Sequence, residues 1–341
     1  MLVSIDLGYG YTKVVSERGR AIFPSVIAPA PDGLEYGKTF GHVMEFRKPG
    51  EAQKRAVAVG DLALKEGRAA QLTLSRSKFQ REAAVLLSLA AVYLAGGEKQ
   101  VDVALGLPLA YYRSQKEEVS LLFRSVSAYV SVDGNDERYI SFAGVRVFPQ
   151  AVGALYAQEK LPDSGLLGVI DIGFNTTDFI LVECYPDDVA PLRSYTSSVE
   201  EGVSTALKVF ANEFNRRTGA PLSLTDAQEI WISGRREITF RGRPLDVGSM
   251  IDRARQAVGR SIAEAVYSAW SEKADLVDRI LLAGGGALDF RGEIVQLFPQ
   301  AETVPDPQWA NVRGFYRLAC GVGQPESREN QGLKVIFGRS V

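Results

Sequence analysis

Cysteine is scarce in this chain. Only Cys184 and Cys320 occur among 341 residues, and their separation excludes a disulfide framework, a metal knuckle or a four-thiolate cluster within one chain. Two thiols kept in a reducing compartment is the simple reading. An excess of charge of one sign is also missing. With 39 basic and 41 acidic residues the formal net charge is −2, so the surface as a whole does not attract nucleic acid, and direct DNA binding is not expected. No long hydrophobic run occurs either: residues 78–97 are polar through their first turn and close on Gly96 and Gly97, short of a bilayer span. The opening MLVSIDLGYG has neither the basic start nor the long apolar core of a signal peptide. These absences predict a cytoplasmic protein without membrane contact.

What is present is the composition of a folded protein: 46% hydrophobic residues, 23% charged, and 33 glycines that imply many turns. At this length two domains or one bilobed unit can each bury a core. Hydrophobic period and turn signals predict strands at 2–6, 11–16 and 20–23. A Pro-, Gly- and charge-rich stretch at 29–75 reads as a small insertion or subdomain, with a strand at 56–59 and a short helix after Gly60. Further on come a helix at 78–95, a strand at 101–107 ended by Pro108, a charged helix at 112–125, two more strands before Gln150, and a helix at 151–158. The second half repeats the order: strands at 167–172, 177–183 and about 192–197, helices at 203–217, 225–231 and 247–271, a strand at 279–283, another helix, and a terminal helix at 308–320. Matching openings predict an internally duplicated α/β fold. Its halves are 1–157 and 158–341, with the terminal helix packing back on the first half.

Two stretches carry the chemistry. Residues 3–15 read V-S-I-D-L-G-Y-G-Y-T-K-V-V, and residues 168–182 read G-V-I-D-I-G-F-N-T-T-D-F-I-L-V. In the first, Asp6 ends a strand and Gly8 and Gly10 let the backbone turn tightly, so that N–H groups converge on an anion, with Lys13 returning as a point charge. A glycine hairpin without function would read the same way, but the second copy repeats the design with Asp171, Gly173, Asn175, Thr176 and Thr177. Together they predict a clamp on nucleotide phosphates. The two aspartates suit a hydrated Mg²⁺ held through water, and Asp171 is placed to orient a water attacking a terminal phosphate. A third element, Gly284, Gly285, Gly286 and Ala287, follows an apolar strand and opens a helix, where glycines admit a bulky ligand.

In this order the residues resemble the actin superfamily over nearly the whole chain. Asp6, Gly8, Gly10 and Lys13 match its first phosphate motif, with Tyr9 and Tyr11 between them. Asp171, Gly173 and Thr177 match the second, and Gly284–Gly286 the adenosine motif. The resemblance implies an actin-like, ribonuclease H-like fold with two lobes around a nucleotide cleft, and ATP or ADP with Mg²⁺ as cofactors. It places Gln150 where the family positions the hydrolytic water, Gly202 in a nucleotide-contacting stretch, and Glu229 in the region of ribose contacts. Departures are Tyr9 for a serine, Asn175 for a glycine, and Asp178 for a histidine. Asp178 either assists a water or hydrogen-bonds the turn. Within the superfamily the chain looks like the prokaryotic plasmid-segregation proteins of the ParM or StbA type and their archaeal relatives, partly through W-A-N-V-R-G-F-Y-R-L-A at 309–319.

That likeness implies an ATPase, with GTP an open alternative, that polymerises into filaments and reaches DNA cargo only through a separate DNA-binding adaptor. A soluble phosphotransferase of the sugar-kinase type is the alternative, although no further acidic motif supplies the general base it needs. A chaperone-like or regulatory ATPase ranks third, because the chain lacks the length for an appended substrate-binding domain.

Overall fold

The computed structural model describes residues 1–30, 41–66, 71–72, 82–186 and 188–321. They form two compact units, Met1–Leu161 together with the stretch from Trp309, and Pro162–Gln308.

The first unit opens with strands β1 (Leu2–Leu7), β2 (Tyr11–Ser16), β3 (Arg20–Pro24) and β4 (Val26–Pro29). Next come β5 (His42–Arg47), β6 (Arg55–Val59), the short helix α1 (Asp61–Glu66) and β7 (Gln71–Leu72). Helix α2 (Glu82–Leu94), β8 (Lys99–Leu107), α3 (Leu109–Arg124), β9 (Ser127–Val132), β10 (Arg138–Pro149) and α4 (Val152–Tyr156) follow. The strands make one sheet in the order β3-β2-β1-β8-β10-β9-β5-β6-β4-β7. β1, β8 and β10 run parallel, and β1–β2–β3 is an antiparallel meander. Alternation in β1 separates two layers, since successive side chains point to opposite faces. Val3, Ile5 and Leu7 enter a core with Leu86, Leu87 and Val92 of α2 and Val119 and Phe123 of α3. On the other face Ser4 Oγ donates to the Val312 carbonyl of the chain's last helix, and Asp6 shares that face.

The stretch read as a separate insertion is part of this sheet, because β5 pairs with β9. Its own apolar cluster is small, built on Val26, Ala28, Ala58 and Ala63. Of the expected ranges, residues 31–40, 67–70 and 73–81 lie outside the described residues.

The second unit contains β11 (Gly165–Ile172), β12 (Thr177–Tyr185), β13 (Asp188–Pro191) and β14 (Ser197–Val199), then helices α5 (Val203–Thr218) and α6 (Leu224–Ser233). A hairpin of β15 (Glu237–Phe240) and β16 (Arg243–Asp246) leads to α7 (Gly248–Trp270), β17 (Arg279–Ala283), α8 (Ala287–Leu297) and β18 (Ala301–Thr303). The chain then returns to the first unit as α9 (Ala310–Ala319). The main path of the second sheet is β13-β12-β11-β17-β18, with β14 pairing β12. Both sheets thus contain the same motif: an antiparallel meander whose first strand continues into two parallel neighbours. In α7, Met250, Ile251, Ala254, Val258, Ile262, Val266 and Trp270 are buried at helical spacing, against β-strand side chains such as Ile170, Phe179 and Ile280.

The strand expected at about 192–197 does not form: β13 ends at Pro191, a 3₁₀ turn covers Arg193–Tyr195, and β14 starts at Ser197. The β15–β16 ribbon falls between the expected helices at 225–231 and 247–271, where no element is predicted. Arg241 and Gly242 both have positive φ (50° and 75°), the backbone that closes a two-residue hairpin.

Candidate functional site

The first turn is closed by Gly8 N–H donating to Tyr11 O at 3.0 Å. A Cβ at position 8 would stand 2.6 Å from that oxygen and 3.6 Å from Lys13 Nζ, so glycine is required for the turn itself, and the ammonium lies against it. Asp6 and Lys13 are directly opposite across the β1–β2 ladder. The two residues are 3% and 8% exposed, and their side chains join at 2.9 Å between Oδ2 and Nζ. The other Asp6 oxygen, Oδ1, accepts from Gln150 Nε2 at 2.9 Å. Gln150 stands at the end of β10, where its N–H donates to Leu107 O at 2.7 Å. The β1 and β10 ends therefore bring Asp6, Lys13 and Gln150 into one chain of hydrogen bonds, buried at Asp6 and Lys13 and half-buried at Gln150.

Ser25, which drew no attention in the sequence, holds the loop of the same turn. Its Oγ donates to Gly8 O at 2.8 Å and meets Thr12 Oγ1 at 2.9 Å, while its N–H donates to Gly10 O at 2.9 Å. Tyr9 is buried and Tyr11 half-buried. No spacing rule marks Ser25 in advance, since it reaches the turn only because β3 folds back on β2.

The second turn closes by Gly173 N–H to Thr176 O at 2.8 Å. Here the cross-strand partner of Asp171 is Asp178, and the two are 6% and 1% exposed. The start of α5 braces the loop: Val203 N–H donates to Gly173 O at 3.2 Å and Ser204 N–H to Phe174 O at 2.7 Å. At Gly202 a Cβ would sit 2.6 Å from Gly173 O. Thr177 Oγ1 donates to Glu201 O at 2.8 Å. Thr176 is buried and Asn175 half-buried.

The triple glycine joins the second turn through backbone. Asp171 pairs with Ala283 on β17, and Gly284 (φ +87°) follows so closely that a Cβ there would fall on the Ile172 carbonyl and 2.5 Å from Asp171 Oδ1. Gly286 N–H donates to Ile172 O at 2.9 Å. Gly285 differs from its neighbours, being exposed, with nothing nearer its would-be Cβ than Gln308 at 3.9 Å. Ala287 is fully buried, and its N–H donates to Gly284 O at 3.3 Å, so its side chain faces core rather than ligand space. Glu229 is exposed on α6, whose buried side is formed by Ala227 and Trp231, and Trp231 Nε1 donates to Asp289 Oδ1 of α8, the helix that the glycine turn opens. The second unit therefore gathers Asp171, Asp178, Gly173, Asn175, Thr176, Thr177, Gly202 and Gly284–Gly286 through the β11–β12 ladder, the start of α5 and the turn after β17.

These turns fit phosphate oxygens: glycine backbone, one ammonium and small hydroxyls are present, with no Cβ in the way. Among the described residues no group of three or more His, Cys, Asp or Glu is placed to hold a metal ion. No described helix is long and apolar enough to cross a membrane.

Residues 4–153 match the N-terminal domain of actin-like proteins, and residues 169–296 match the C-terminal domain of the archaeal MreB-like actin homologue. The archaeal actin homolog of Thermoplasma acidophilum is 24% identical over 92% of this chain and 97% of its own. Among solved structures, the subunit of a 15-stranded ParM filament from Clostridium botulinum is 21% identical with a TM-score of 0.84, covering 94% of this chain and 99% of that one. An archaeal actin homolog in complex with ADP is 22% identical with a TM-score of 0.78, covering 94% of this chain and 99% of that one.

Proposed function

This chain belongs to the actin-like proteins, and from that premise we propose that it hydrolyses a nucleoside triphosphate and assembles into filaments whose lifetime that hydrolysis sets. The observation that carries the reading is Asp6 accepting from both Lys13 and Gln150. It fixes a phosphate-facing cation and a water-orienting amide to one carboxylate at the end of β1.

The roles follow from chemistry. Lys13 supplies positive charge beside the Gly8 turn. Gln150 is an amide and takes no proton, so it orients a water through its hydrogen-bonding groups. Attack forms a bond from the water oxygen to the terminal phosphorus and breaks that phosphorus–bridging oxygen bond, with the water's proton passing to the buried Asp171 carboxylate or to solvent. Gly284–Gly286 take the nucleoside side, with exposed Gly285 as the point of approach. Asp6 and Asp171 would hold a magnesium ion through water, and the chemistry it would supply is neutralisation of phosphate charge. ATP is the nucleotide we propose, supported by the ADP bound to the archaeal relative. The filament reading is supported by the ParM relative. Segregation of a plasmid or other DNA, through a DNA-binding adaptor, is the cellular role we propose, in keeping with a net charge of −2.

The test is light scattering with pelleting across a protein concentration series in Mg-ATP, Mg-ADP and no nucleotide, with phosphate release recorded in parallel. A critical concentration in Mg-ATP, with phosphate release rising above it, is the expected outcome. Turnover linear in protein with no polymer at any concentration would replace this reading with a soluble phosphotransferase.

A further inference from the structure

The residue after Gln150 holds a backbone that a side-chain-bearing residue seldom takes. Ala151 lies at φ 64°, ψ −39° and is fully buried. A conformation of this kind persists only where its surroundings impose it, and it gathers at functional sites. The helix it opens, α4, has no side-chain cap of its own, and the first N–H groups of a helix need partners from elsewhere.

Asn311 supplies them from 160 residues away in the sequence. Its Oδ1 accepts from Ala151 N at 3.1 Å and from Ala154 N at 3.2 Å, and the residue is only 6% exposed. Asn311 itself is held rigidly. It sits in the first turn of α9, which is tied to β1 through Ser4 Oγ and Val312 O at 2.8 Å. A Cβ on Gly314 would overlap the Gly153 carbonyl, and one on Gly153 would stand 2.6 Å from Asn311 O. Phe315 stacks on Phe148, two residues before Gln150, with centroids 5.9 Å apart and planes 10° from parallel.

Gln150 is therefore gripped on both sides. Its own N–H is bonded to Leu107 O at 2.7 Å, and the peptide that follows it is bonded to Asn311. Between these anchors its side chain has a defined departure toward Asp6 Oδ1. We propose that Asn311 is a positioning residue for Gln150: by holding the strained Ala151 peptide it keeps the Gln150 amide on Asp6, so the terminal helix sets the hydrolytic glutamine. This rests on the reading of Gln150 given above.

The functional atom is an acceptor oxygen, which makes the substitutions selective. Asn311→Leu removes it while keeping the branched outline of the side chain, and Asn311→Asp keeps it. Phosphate release by the Leu variant should fall about tenfold to a hundredfold, as expected for a misplaced reacting group, with nucleotide Kd unchanged. Asn311→Asp should restore most of the rate. In a Gln150→Ala background the Leu substitution should cost nothing further, because a residue acting through another is silent once that other is gone. A readout without turnover is the Gln150 side-chain amide signal in protein labelled at glutamine, assigned by its loss in Gln150→Ala; it should shift in Asn311→Leu and stay in Asn311→Asp. If the Leu variant does not fold, Asn311→Ser, which shortens the reach to Ala151, takes its place.

A wild-type rate and an unmoved amide signal in Asn311→Leu overturn the proposal, as does a loss that adds in full to that of Gln150→Ala. Full turnover in Gln150→Ala, or none in the native protein, removes the catalytic reading of Gln150 instead. In that case the amide signal still decides whether Asn311 positions it.

Discussion

The two glycine turns are near copies in sequence and opposites in charge. Across the first ladder Asp6 faces Lys13, and across the second Asp171 faces Asp178. All four side chains are buried. The first turn pairs a carboxylate with an ammonium, Asp6 accepting from Lys13 and Gln150. The second places two carboxylates side by side, which costs energy unless positive charge or a proton relieves it. The supports differ in the same way. Ser25 adds a side-chain brace to the backbone bonds of the first turn, whereas the second leans on backbone from the start of α5 and the turn at Gly284, with Thr177 as its side-chain tie. The duplicated motif thus carries an ion pair across one ladder and two carboxylates across the other.

The largest effect comes from breaking the ion-paired turn. Lys13→Ala leaves the Asp6 carboxylate buried without its cation, and chemical denaturation should show a loss of about 3–5 kcal/mol. Titration with labelled nucleotide should show binding lost as well. Adding Asp6→Asn to that variant should recover stability but not binding, which separates the structural role of the pair from its functional one.

A smaller effect tests the backbone-built turn. Gly284→Ala forces a side chain into φ +87° and against Asp171 and the Ile172 carbonyl, so unfolding should come about 2–4 kcal/mol earlier. Gly285→Ala meets open space and should change stability by less than about 0.5 kcal/mol. Its effect should appear in nucleotide affinity alone. Equal stability losses at both positions would remove the distinction drawn between them.

The smallest effect addresses the like-charge pair directly. Asp178→Asn relieves the repulsion at constant shape, and the nucleotide-free protein should gain about 1 kcal/mol by thermal unfolding. With Mg-nucleotide present the gain should shrink, since bound cation performs the same neutralisation. A loss of stability in both states would mean that Asp178 serves the turn as a hydrogen-bond acceptor rather than as a charge.

Much of the architecture was legible because it is written in local pattern. β2 runs over 11–16 and β17 over 279–283 as the hydrophobic runs indicate, and helix α7 declares itself by its periodic apolar residues. The β15–β16 ribbon was not legible, since its strands are short and charged and one contains Pro244, so neither alternation nor propensity stands out. The stretch around 42–59 looked detached because its link to the sheet is the pairing of β5 with β9, a contact between residues some 85 positions apart that no local rule encodes.

What the sequence determined by itself is the pair of turns: glycines 8 and 173 must sit where a Cβ would strike the closing carbonyl, and an aspartate ends each strand before them. That information is local, carried by sterics within a few residues. Only the tertiary structure decided that Gln150 lies on Asp6, that Ser25 holds the Gly8 loop, and that Asn311 on the last helix braces the peptide after Gln150. Those partners are set by how strands and helices pack, and a hydrogen bond between residues 160 apart leaves no spacing in the chain to be read.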